Sequence, residues 1–287
     1  MATSDPDTFD LKAWIGRTEA AVDIAVAAPL AGLAALLDHA APPWRTNEVP
    51  PLGHWLYFLP RALQSQISAD GHPARGDFLP PTPLPRRMWA GSRLTFHGAI
   101  PVGARLERRS EIADVAEKTG ASGTMLFVTV RHAIHADGVH VISEDQDIVY
   151  REASTTPTPA PGPVGPVPAC QSARPMRADP TQLFRFSALT FNAHRIHYDR
   201  DYSRDVEGYP GLVVHGPYLA TLLMDHFLRH RPGARVKTFA FRARRPIFDI
   251  APFTLCLNDH PREAELWVAG PDGQPSFTAT LEAADGL

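Results

Sequence analysis

Residues 124–150 read TMLFVTVRHAIHADGVHVISEDQDIVY, and this stretch decides the fold of the first half of the chain. Its first part, Thr124–His135, is rich in β-branched and apolar residues, which favour strands. An Asp137-Gly138 turn follows, and Val139–Tyr150 returns as a second strand. Two earlier strands are predicted at Ser92–Ala99 and Arg105–Val115. Together these segments predict a β-meander, and therefore an antiparallel sheet.

The second half repeats this order of elements. A helix precedes the strands in each half, at about Leu30–His39 in the first and Pro217–His230 in the second. The apolar residues of the second helix fall on one stripe. Four strands follow it, at about Val236–Arg245, Pro252–Asn258, Glu265–Ala269 and Ser276–Glu282. This order predicts an α+β fold in which each sheet wraps a helix and buries its apolar stripe.

A short internal similarity indicates duplication. Residues 94–102 (LTFHGAIPV) and 239–247 (FAFRARRPI) both run as a strand into a proline that is followed by a β-branched residue. Between the halves, residues 154–168 contain six prolines, which favour extended polyproline II. The chain is therefore divided into an N-terminal unit 1–153, a proline-rich linker 154–175 and a C-terminal unit 176–287.

Composition restricts the classes of function. The 287-residue chain is 44% hydrophobic and 21% charged, as is typical of globular proteins. Its formal net charge of −3 lacks the basic excess of a dedicated nucleic-acid binder, and two cysteines exclude a disulfide scaffold. No stretch reads as a membrane span or a signal peptide, so a soluble cytoplasmic protein without nucleic-acid or membrane partners is expected.

The candidate catalytic residues cluster between Phe184 and Met224. Asn192 and His197 stand five residues apart, and Gly216 opens the second predicted helix. A neutral imidazole suits a base that activates water, and a backbone N–H at a helix N-terminus stabilises charge that develops on a carbonyl oxygen. Asn192 can hold the water or the imidazole, but it cannot accept a proton. The alternatives are ordinary hydrogen-bonded histidines, or a metal site built from His194, His197 and Asp199.

The segment FSALTFNAHRIHYD, residues 186–199, resembles the hydratase-2 motif of the MaoC-like dehydratases. That motif is Asp-x-Asn-Pro-x-His, followed further along by a glycine-containing turn and His-Gly. His197 matches the motif histidine, and Gly216 matches the glycine of the oxyanion hole. Asn192 stands where the family has its catalytic aspartate, so the resemblance leaves His197 as the strong base of the pair.

A narrower resemblance covers nearly the whole chain. Residues 83–91 (PLPRRMWAG) and 241–249 (FRARRPIFD) are similar to a subgroup with two hot-dog domains. The subgroup includes mesaconyl-C4-CoA hydratase, itaconyl-CoA hydratase and the mitochondrial hydroxyacyl-thioester dehydratases. The resemblance implies a tandem double hot-dog fold, with a degenerate N-terminal domain, a catalytic C-terminal domain and further association as a homodimer.

The resemblance also implies hydro-lyase chemistry on an acyl-CoA. His197 takes a proton from water, hydroxide adds to the β-carbon, Asn192 positions the water, and the Gly216 N–H holds the thioester oxygen. No metal or other cofactor is implied. The expected substrate is a short branched dicarboxylic enoyl-CoA, mesaconyl-C4-CoA or itaconyl-CoA, which gives citramalyl-CoA. The alternatives are an (R)-3-hydroxyacyl-thioester dehydratase of fatty-acid metabolism, a thioesterase and a non-catalytic acyl-CoA-binding module.

Arginine supplies almost all the positive charge of the chain, which contains only three lysines. The free carboxylate of such a substrate and the phosphates of coenzyme A both favour arginine as a partner. The candidate substrate-binding residues are Arg86, Arg87, Arg195, Tyr198, Arg244 and Arg245. Neighbouring residues of an extended segment point to opposite faces, so one member of each tandem arginine pair is expected to face a given ligand.

Overall fold

A computed structural model describes residues 10–284, apart from 121–122, 154–156, 164 and 167. Part of the proline-rich linker therefore lies outside the described residues. Three α-helices are found in the described part: α1 (Ala27–Leu36), α2 (Pro180–Thr190) and α3 (Gly216–His230). The strands are β1 (Thr18–Ile24), β2 (Arg86–Phe96), β3 (Arg105–Gly120), β4 (Gly123–Ala136), β5 (Val139–Arg151), β6 (Ser172–Met176), β7 (Val236–Ala243), β8 (Phe253–Asp259), β9 (Glu263–Ala269) and β10 (Pro275–Ala283).

All ten strands belong to one sheet, in the order β1-β3-β4-β5-β2-β7-β10-β9-β8-β6, and every pairing is antiparallel. The eight predicted strands and both predicted helices are confirmed within a few residues at their ends. The two strands that were not predicted, β1 and β6, lie at the two edges of the sheet. Edge strands bury little of their surface, which leaves them without a clear apolar pattern.

Two other differences concern the start of the second half. β6 begins at Ser172, inside the predicted linker 154–175, because it pairs with β8 and so belongs to the C-terminal half of the sheet. The helix α2 was not predicted, although its start carries a readable signal. The Asp179 side chain accepts a hydrogen bond from the Gln182 N–H, the Gln182 side chain accepts one from the Asp179 N–H, and Pro180 takes the first helical position.

The two internally similar segments meet at the centre of the sheet. β2 pairs with β7 in a register that places Leu94 opposite Phe239, and both side chains are buried. This pairing joins the two halves into a continuous sheet. Gly91 permits the close approach, because a Cβ there would lie 2.6 Å from the backbone oxygen of Phe241.

The helix α3 is buried along most of its length, and it packs on β8, β9, β10 and β2. Its one buried acid, Asp225, is ion-paired with Arg174 and Arg229. Asp225 also contacts His39, from the segment that follows α1, with 2.5 Å between its Oδ1 and the imidazole Nε2. The buried charge therefore ties the second helix to the first half. None of the helices in the described ranges is long and apolar enough to cross a membrane.

We expect the substitution Gly91→Ala to lower the free energy of unfolding by about 1–3 kcal/mol, because the added methyl group must push β2 and β7 apart. Gly98→Ala is the matched control, since its Cβ would make an ordinary 3.5 Å contact with Val141. Urea denaturation measures both. Equal stability of the two variants would contradict the role of the β2–β7 seam.

Candidate active site

A cavity of about 580 Å³ is lined by residues of both halves. The C-terminal half contributes Asn192, His194, His197 and Gly216, among others. The N-terminal half contributes residues 70–73 and part of β2. Because β2 pairs with β7 at the centre of the sheet, the cavity lies at the junction of the halves. The structure thus brings the three predicted catalytic residues, His197, Asn192 and Gly216, to one cavity.

His197 lies in a short 3₁₀ turn, Arg195–His197, and its side chain is buried. Its Nδ1 is 2.7 Å from the backbone oxygen of Val213. A carbonyl oxygen only accepts hydrogen bonds, so Nδ1 carries the hydrogen, and Nε2 of the neutral ring keeps a free lone pair. Burial lowers the pKa of His197 to about 4. The imidazole is therefore neutral at physiological pH and able to accept a proton through Nε2.

His215 fixes the plane of the His197 ring. The two imidazoles stack with 3.7 Å between their centroids, and Nε2 of His215 is 2.8 Å from Oγ of Ser187. Complete burial lowers the pKa of His215 well below its usual value, so the stacked ring brings no positive charge. His215 thus supports His197 without repelling its protonated form.

Gly216 begins α3, where the first backbone N–H groups have no partner within the helix. The residue lines the cavity, and a Cβ there would lie 3.6 Å from the backbone oxygen of Trp89 in β2. The N-terminus of a 15-residue helix also favours negative charge. This end of α3 is therefore suited to holding an oxyanion inside the cavity.

Part of the Asn192 side chain stabilises its own loop. Its side-chain Oδ1 accepts a hydrogen bond from the backbone N–H of His194 at 3.0 Å. The amide NH₂ is the side-chain group that remains for a water or a substrate. The expectation that Asn192 positions the attacking water stays a prediction, with that NH₂ as the acting group.

The N-terminal half adds a second imidazole that the sequence analysis missed. His72 Nδ1 is 2.9 Å from Oδ2 of Asp70, and both residues line the cavity. Burial alone would raise the pKa of Asp70, but the hydrogen bonds from His72 lower it well below its usual value. Burial lowers the pKa of His72, and the contact with Asp70 opposes that change. The only sequence signal was the short run Asp70-Gly71-His72.

The four imidazoles of the site form a row. The ring centroids of His72 and His194 are 4.1 Å apart, those of His194 and His197 are 5.3 Å apart, and His215 stacks beyond them. Burial and the neighbouring His72 lower the pKa of His194 to about 2. The row is therefore uncharged at neutral pH.

The segment 69–72 is fixed to the catalytic loop by backbone contacts. The N–H of Arg195 donates to the backbone oxygen of Asp70 at 2.9 Å, and the Arg195 guanidinium donates to the backbone oxygen of Ala69 at 3.1 Å. Gly71, with φ +93°, lies so close to Ala193 that a Cβ would be 1.8 Å from its carbonyl oxygen. Glycine is required at this position for both reasons.

Two predicted substrate-binding residues, Arg195 and Tyr198, are not among the residues that line the described cavity, and their role stays a prediction. The Arg195 guanidinium pairs with Asp199, with 2.7 Å between Nη2 and Oδ2, and lies over the ring of Tyr202. The Tyr198 hydroxyl donates to the backbone oxygen of Ala193. Both side chains therefore make contacts within the loop that carries His197.

The other four arginines do line the cavity, and both members of each tandem pair do so. The expectation that one member of each pair faces a given ligand stays a prediction; Arg86 and Arg87 are the first two residues of β2, and Arg244 and Arg245 directly follow β7. Arg86 is paired with Glu207, and Arg245 with Asp272. Arg244 makes one long contact, 3.5 Å from its Nε to Oγ1 of Thr278.

Arg87 differs from its neighbours. It lines the same cavity as His72 and His194, and its positive charge contributes to the lowered pKa of both. Within the described ranges, no hydrogen bond or ion pair to the Arg87 side chain is found. A cation without a protein partner in a cavity is suited to binding an anionic group of a ligand.

A second group of polar residues from the N-terminal half also lines the cavity. The Glu144 carboxylate is buried and accepts hydrogen bonds from His54, Trp55, Ser92 and Gln146. Burial would raise the pKa of Glu144, but the hydrogen bond and the electrostatic interaction with His54 lower it to about 2. Burial lowers the pKa of His132, also in this group, to about 4. The cavity therefore contains a buried polar region, which sequence patterning did not indicate.

Asp70, His72 and His194 are three residues of the types that can bind a metal ion. Their polar atoms lie within 4.8 Å of one another. However, the Asp70–His72 contact is a direct hydrogen bond, so the pair is arranged as a carboxylate–imidazole dyad instead of as two ligands of one ion. In the set suggested by the sequence, Asp199 is ion-paired with Arg195 outside the cavity.

Comparisons with known proteins agree with this geometry. Residues 52–249 match the model of the family described as hydroxyacyl-thioester dehydratase type 2. Mesaconyl-C(4)-CoA hydratase of Chloroflexus aurantiacus is 49% identical over 275 residues, which cover 95% of this chain and 98% of that protein. The mitochondrial hydroxyacyl-thioester dehydratase type 2 of Schizosaccharomyces pombe is 26% identical over 78% of this chain and 81% of its own length. A MaoC-like dehydratase structure from Phytophthora capsici, 12% identical, matches with a TM-score of 0.68 over 96% of this chain and 98% of that one.

The fold and the cavity define a hydro-lyase with two hot-dog domains in one chain. Structures of MaoC-like dehydratases share this fold. More narrowly, the chain belongs to the hydroxyacyl-thioester dehydratase type 2 family, which the family model and the 49% identical relative both show.

The buried neutral histidines predict how stability depends on pH. His132 and His197 have a folded pKa of about 4, and His194 has one of about 2. An unfolded histidine titrates near 6.5, so the unfolded chain binds more protons below that pH. The free energy of unfolding should therefore be constant above about pH 7.5 and should fall as the pH drops from about 6.5 to about 4.

Urea denaturation at pH 8, 6 and 5 measures this dependence. The variant His197→Asn should show a smaller slope, by up to about 1.4 kcal/mol per pH unit, because one buried titrating group is gone. The control His97→Ala removes an exposed histidine and should keep the wild-type slope. A free energy of unfolding that stays level or rises between pH 6.5 and 5 would contradict the neutral, buried row of histidines.

Proposed function

We propose that this enzyme hydrates mesaconyl-C4-CoA to citramalyl-CoA in a reversible reaction. The observation that carries the proposal is the 49% identity, over nearly the full length of both chains, with a protein named for that activity. The cavity supplies a physical account of the same reaction. The reaction needs an oxyanion site, a base for water and a cation for the free carboxylate of the substrate, and residues of the cavity can supply all three.

The positions of these groups match the chemistry of the substrate. In mesaconyl-C4-CoA the free carboxylate is attached to the β-carbon, which is the carbon that water attacks. The cation that binds the carboxylate must therefore lie beside the base. Arg87 meets this condition, because its charge acts on His72 and His194, next to His197. Arg244, which has no carboxylate partner in the described ranges, is assigned to a phosphate of coenzyme A.

The reaction begins with the thioester oxygen at the Gly216 N–H. A water molecule donates a hydrogen bond to Nε2 of His197, which directs its oxygen to the β-carbon. As the carbon–oxygen bond forms, the π electrons move to the thioester oxygen, where the start of α3 stabilises the enolate. The proton that leaves the water passes to an imidazole nitrogen and then to the α-carbon. Water is thereby added across the double bond with no other reactant.

Itaconyl-CoA carries the same free carboxylate and is retained as a second substrate of the proposal. The rival function, dehydration of a fatty (R)-3-hydroxyacyl thioester, is favoured by the family description and by the yeast relative. A fatty chain needs an apolar tunnel, whereas the ionised Glu144 and the buried His54 and His132 line this cavity. This polar lining favours the short dicarboxylic substrate.

The purified protein should remove the enoyl-thioester absorbance of mesaconyl-C4-CoA, and His197→Ala should lower the rate by about 100-fold or more. The control His140→Ala changes a histidine outside the cavity and should keep the wild-type rate. Crotonyl-CoA is compared in the same assay, and itaconyl-CoA, whose double bond is not conjugated to the thioester, is followed by chromatographic detection of citramalyl-CoA. Turnover of crotonyl-CoA alone would replace the proposal with the fatty-acyl function, and binding without turnover would indicate an acyl-CoA-binding module.

Arg87→Met should lower kcat/KM for mesaconyl-C4-CoA by roughly 10- to 150-fold, because a charge-assisted hydrogen bond is worth about 1.5–3 kcal/mol. Its kcat/KM for crotonyl-CoA, which lacks the carboxylate, should be much less affected. The matched control is Arg93→Met, on the same strand but ion-paired with Asp147 and outside the cavity. Equal losses with both substrates would contradict the assignment of Arg87 to the substrate carboxylate.

A further inference from the structure

The catalytic loop lacks the proton acceptor that its motif normally provides. Asn192 occupies the aspartate position, and an amide cannot take a proton from water. Its Oδ1 is already bonded to the His194 N–H. His197 donates its Nδ1–H to a neutral carbonyl, so no negative charge stabilises its protonated form, and its pKa is about 4. Alone, His197 is a weak base in a site that must hold a proton for part of each turnover.

The N-terminal half places a different kind of imidazole in the same cavity. His72 donates its Nδ1–H to the Asp70 carboxylate, at 2.9 Å. The hydrogen bond leaves Nε2 as the basic nitrogen, and in the described ranges Nε2 has no hydrogen-bond partner. A carboxylate behind the ring stabilises the imidazolium form, as a carbonyl cannot. Of the imidazoles in the row, His72 is the one that forms a hydrogen bond with a carboxylate.

The position of this dyad is fixed relative to His197. Backbone hydrogen bonds from Arg195 to Asp70 and the close packing of Gly71 on Ala193 join the two loops. The catalytic turn that carries His197 begins at Arg195. Within the segment, Oδ1 of Asp70 accepts a hydrogen bond from the His72 N–H at 3.0 Å, while Oδ2 contacts the imidazole, so one carboxylate fixes both the turn and the ring.

We propose that His72, held by Asp70, is the base that takes the proton from water in this site, while His197 accepts the hydrogen bond that orients that water; His72 thereby replaces, from the other half of the chain, the carboxylate that the motif has at position 192. The inference rests on the proposed hydratase function and adds a residue to it. It also changes the interpretation of the N-terminal half, which supplies part of the catalytic machinery and does not only enlarge the pocket.

The step balances as follows. The attacking water donates one hydrogen bond to Nε2 of His197 and another to Nε2 of His72, which leaves an oxygen lone pair directed at the β-carbon. As the carbon–oxygen bond forms, the water proton that is hydrogen-bonded to His72 transfers to Nε2 of His72. The π electrons of the carbon–carbon double bond move toward the thioester, which becomes the enolate. The imidazolium of His72 then returns this proton to the α-carbon. The hydrogen on the His197 side stays on the product hydroxyl group.

Charged and titratable groups around His72 couple this step to substrate binding. Asp70 favours protonation of His72, and the positive charges of Arg87 and Arg75 oppose it. The neighbouring His194 is neutral. Arg75 is held by the backbone oxygens of Thr82, Leu84 and Pro85, so its charge is fixed. Arg87 is the group that the substrate carboxylate would neutralise. Substrate binding therefore offsets the charge of Arg87, which opposes protonation of His72, and makes His72 a stronger base in the enzyme–substrate complex.

The test compares His72→Ala, Asp70→Asn and the double variant His72→Ala/Asn192→Asp, with His97→Ala as control. With mesaconyl-C4-CoA we expect His72→Ala to lower kcat by about 100-fold or more, with KM changed by no more than a few-fold. Asp70→Asn should lower kcat less and move the acidic limb of the kcat/KM profile to lower pH. Adding Asn192→Asp should recover at least about tenfold in kcat, because it restores a carboxylate to the motif position.

Wild-type kcat in His72→Ala, or an unshifted pH profile in Asp70→Asn, would overturn the inference while leaving the hydratase function intact. A wild-type protein that hydrates none of the three enoyl-CoA substrates would instead overturn the proposed function. His72→Gln serves as the second variant if His72→Ala does not fold, which its thermal unfolding shows. Incubation with EDTA should not change wild-type activity, and a loss that Zn²⁺ reverses would make the cluster a metal site.

Discussion

The site depends on one close backbone contact between the halves of the chain. Gly71 lies against the carbonyl group of Ala193, and the Arg195 N–H bonds to the backbone oxygen of Asp70. This contact brings Asp70 and His72 to the loop that carries His197. A side chain at position 71 would separate the loops, and the cavity would lose the residues that one half contributes. The continuous β2–β7 pairing at the centre of the sheet makes such a contact possible, because it fixes the relative position of the halves.

Burial decides the electrostatics of the cavity. It keeps the row of histidines neutral, which provides lone pairs for water but weakens each imidazole as a base. The Asp70 carboxylate offsets this effect for His72 through a hydrogen bond and its charge, and for His194 through its charge alone. The charge of Arg87 acts in the opposite sense until an anionic substrate meets it. Acid–base strength in this site is thus set by which charges are present, and one of those charges belongs to the substrate.

Much of the fold was predictable because its signals are local. The meander of β3, β4 and β5 follows from β-branched runs and an Asp-Gly turn, and α3 follows from its apolar stripe. The edge strands β1 and β6 gave no such pattern, because they are largely exposed. In the site, His197, Asn192 and Gly216 share a motif and were found together. The Asp70–His72 dyad lies within one short run, but its place beside the catalytic turn, the Glu144 network and the contact of Arg195 with Ala69 depend on contacts between distant segments, which no local spacing encodes.

The central claim is that both halves of the chain act on one substrate molecule. A crystal structure with bound methylsuccinyl-C4-CoA, the saturated analogue of mesaconyl-C4-CoA, tests it most directly. The account predicts the thioester oxygen at the Gly216 N–H, the free carboxylate on Arg87, and a water molecule within hydrogen-bond distance of both His72 Nε2 and His197 Nε2. An acyl group that contacts only residues of the C-terminal half, with His72 remote from the β-carbon, would contradict it.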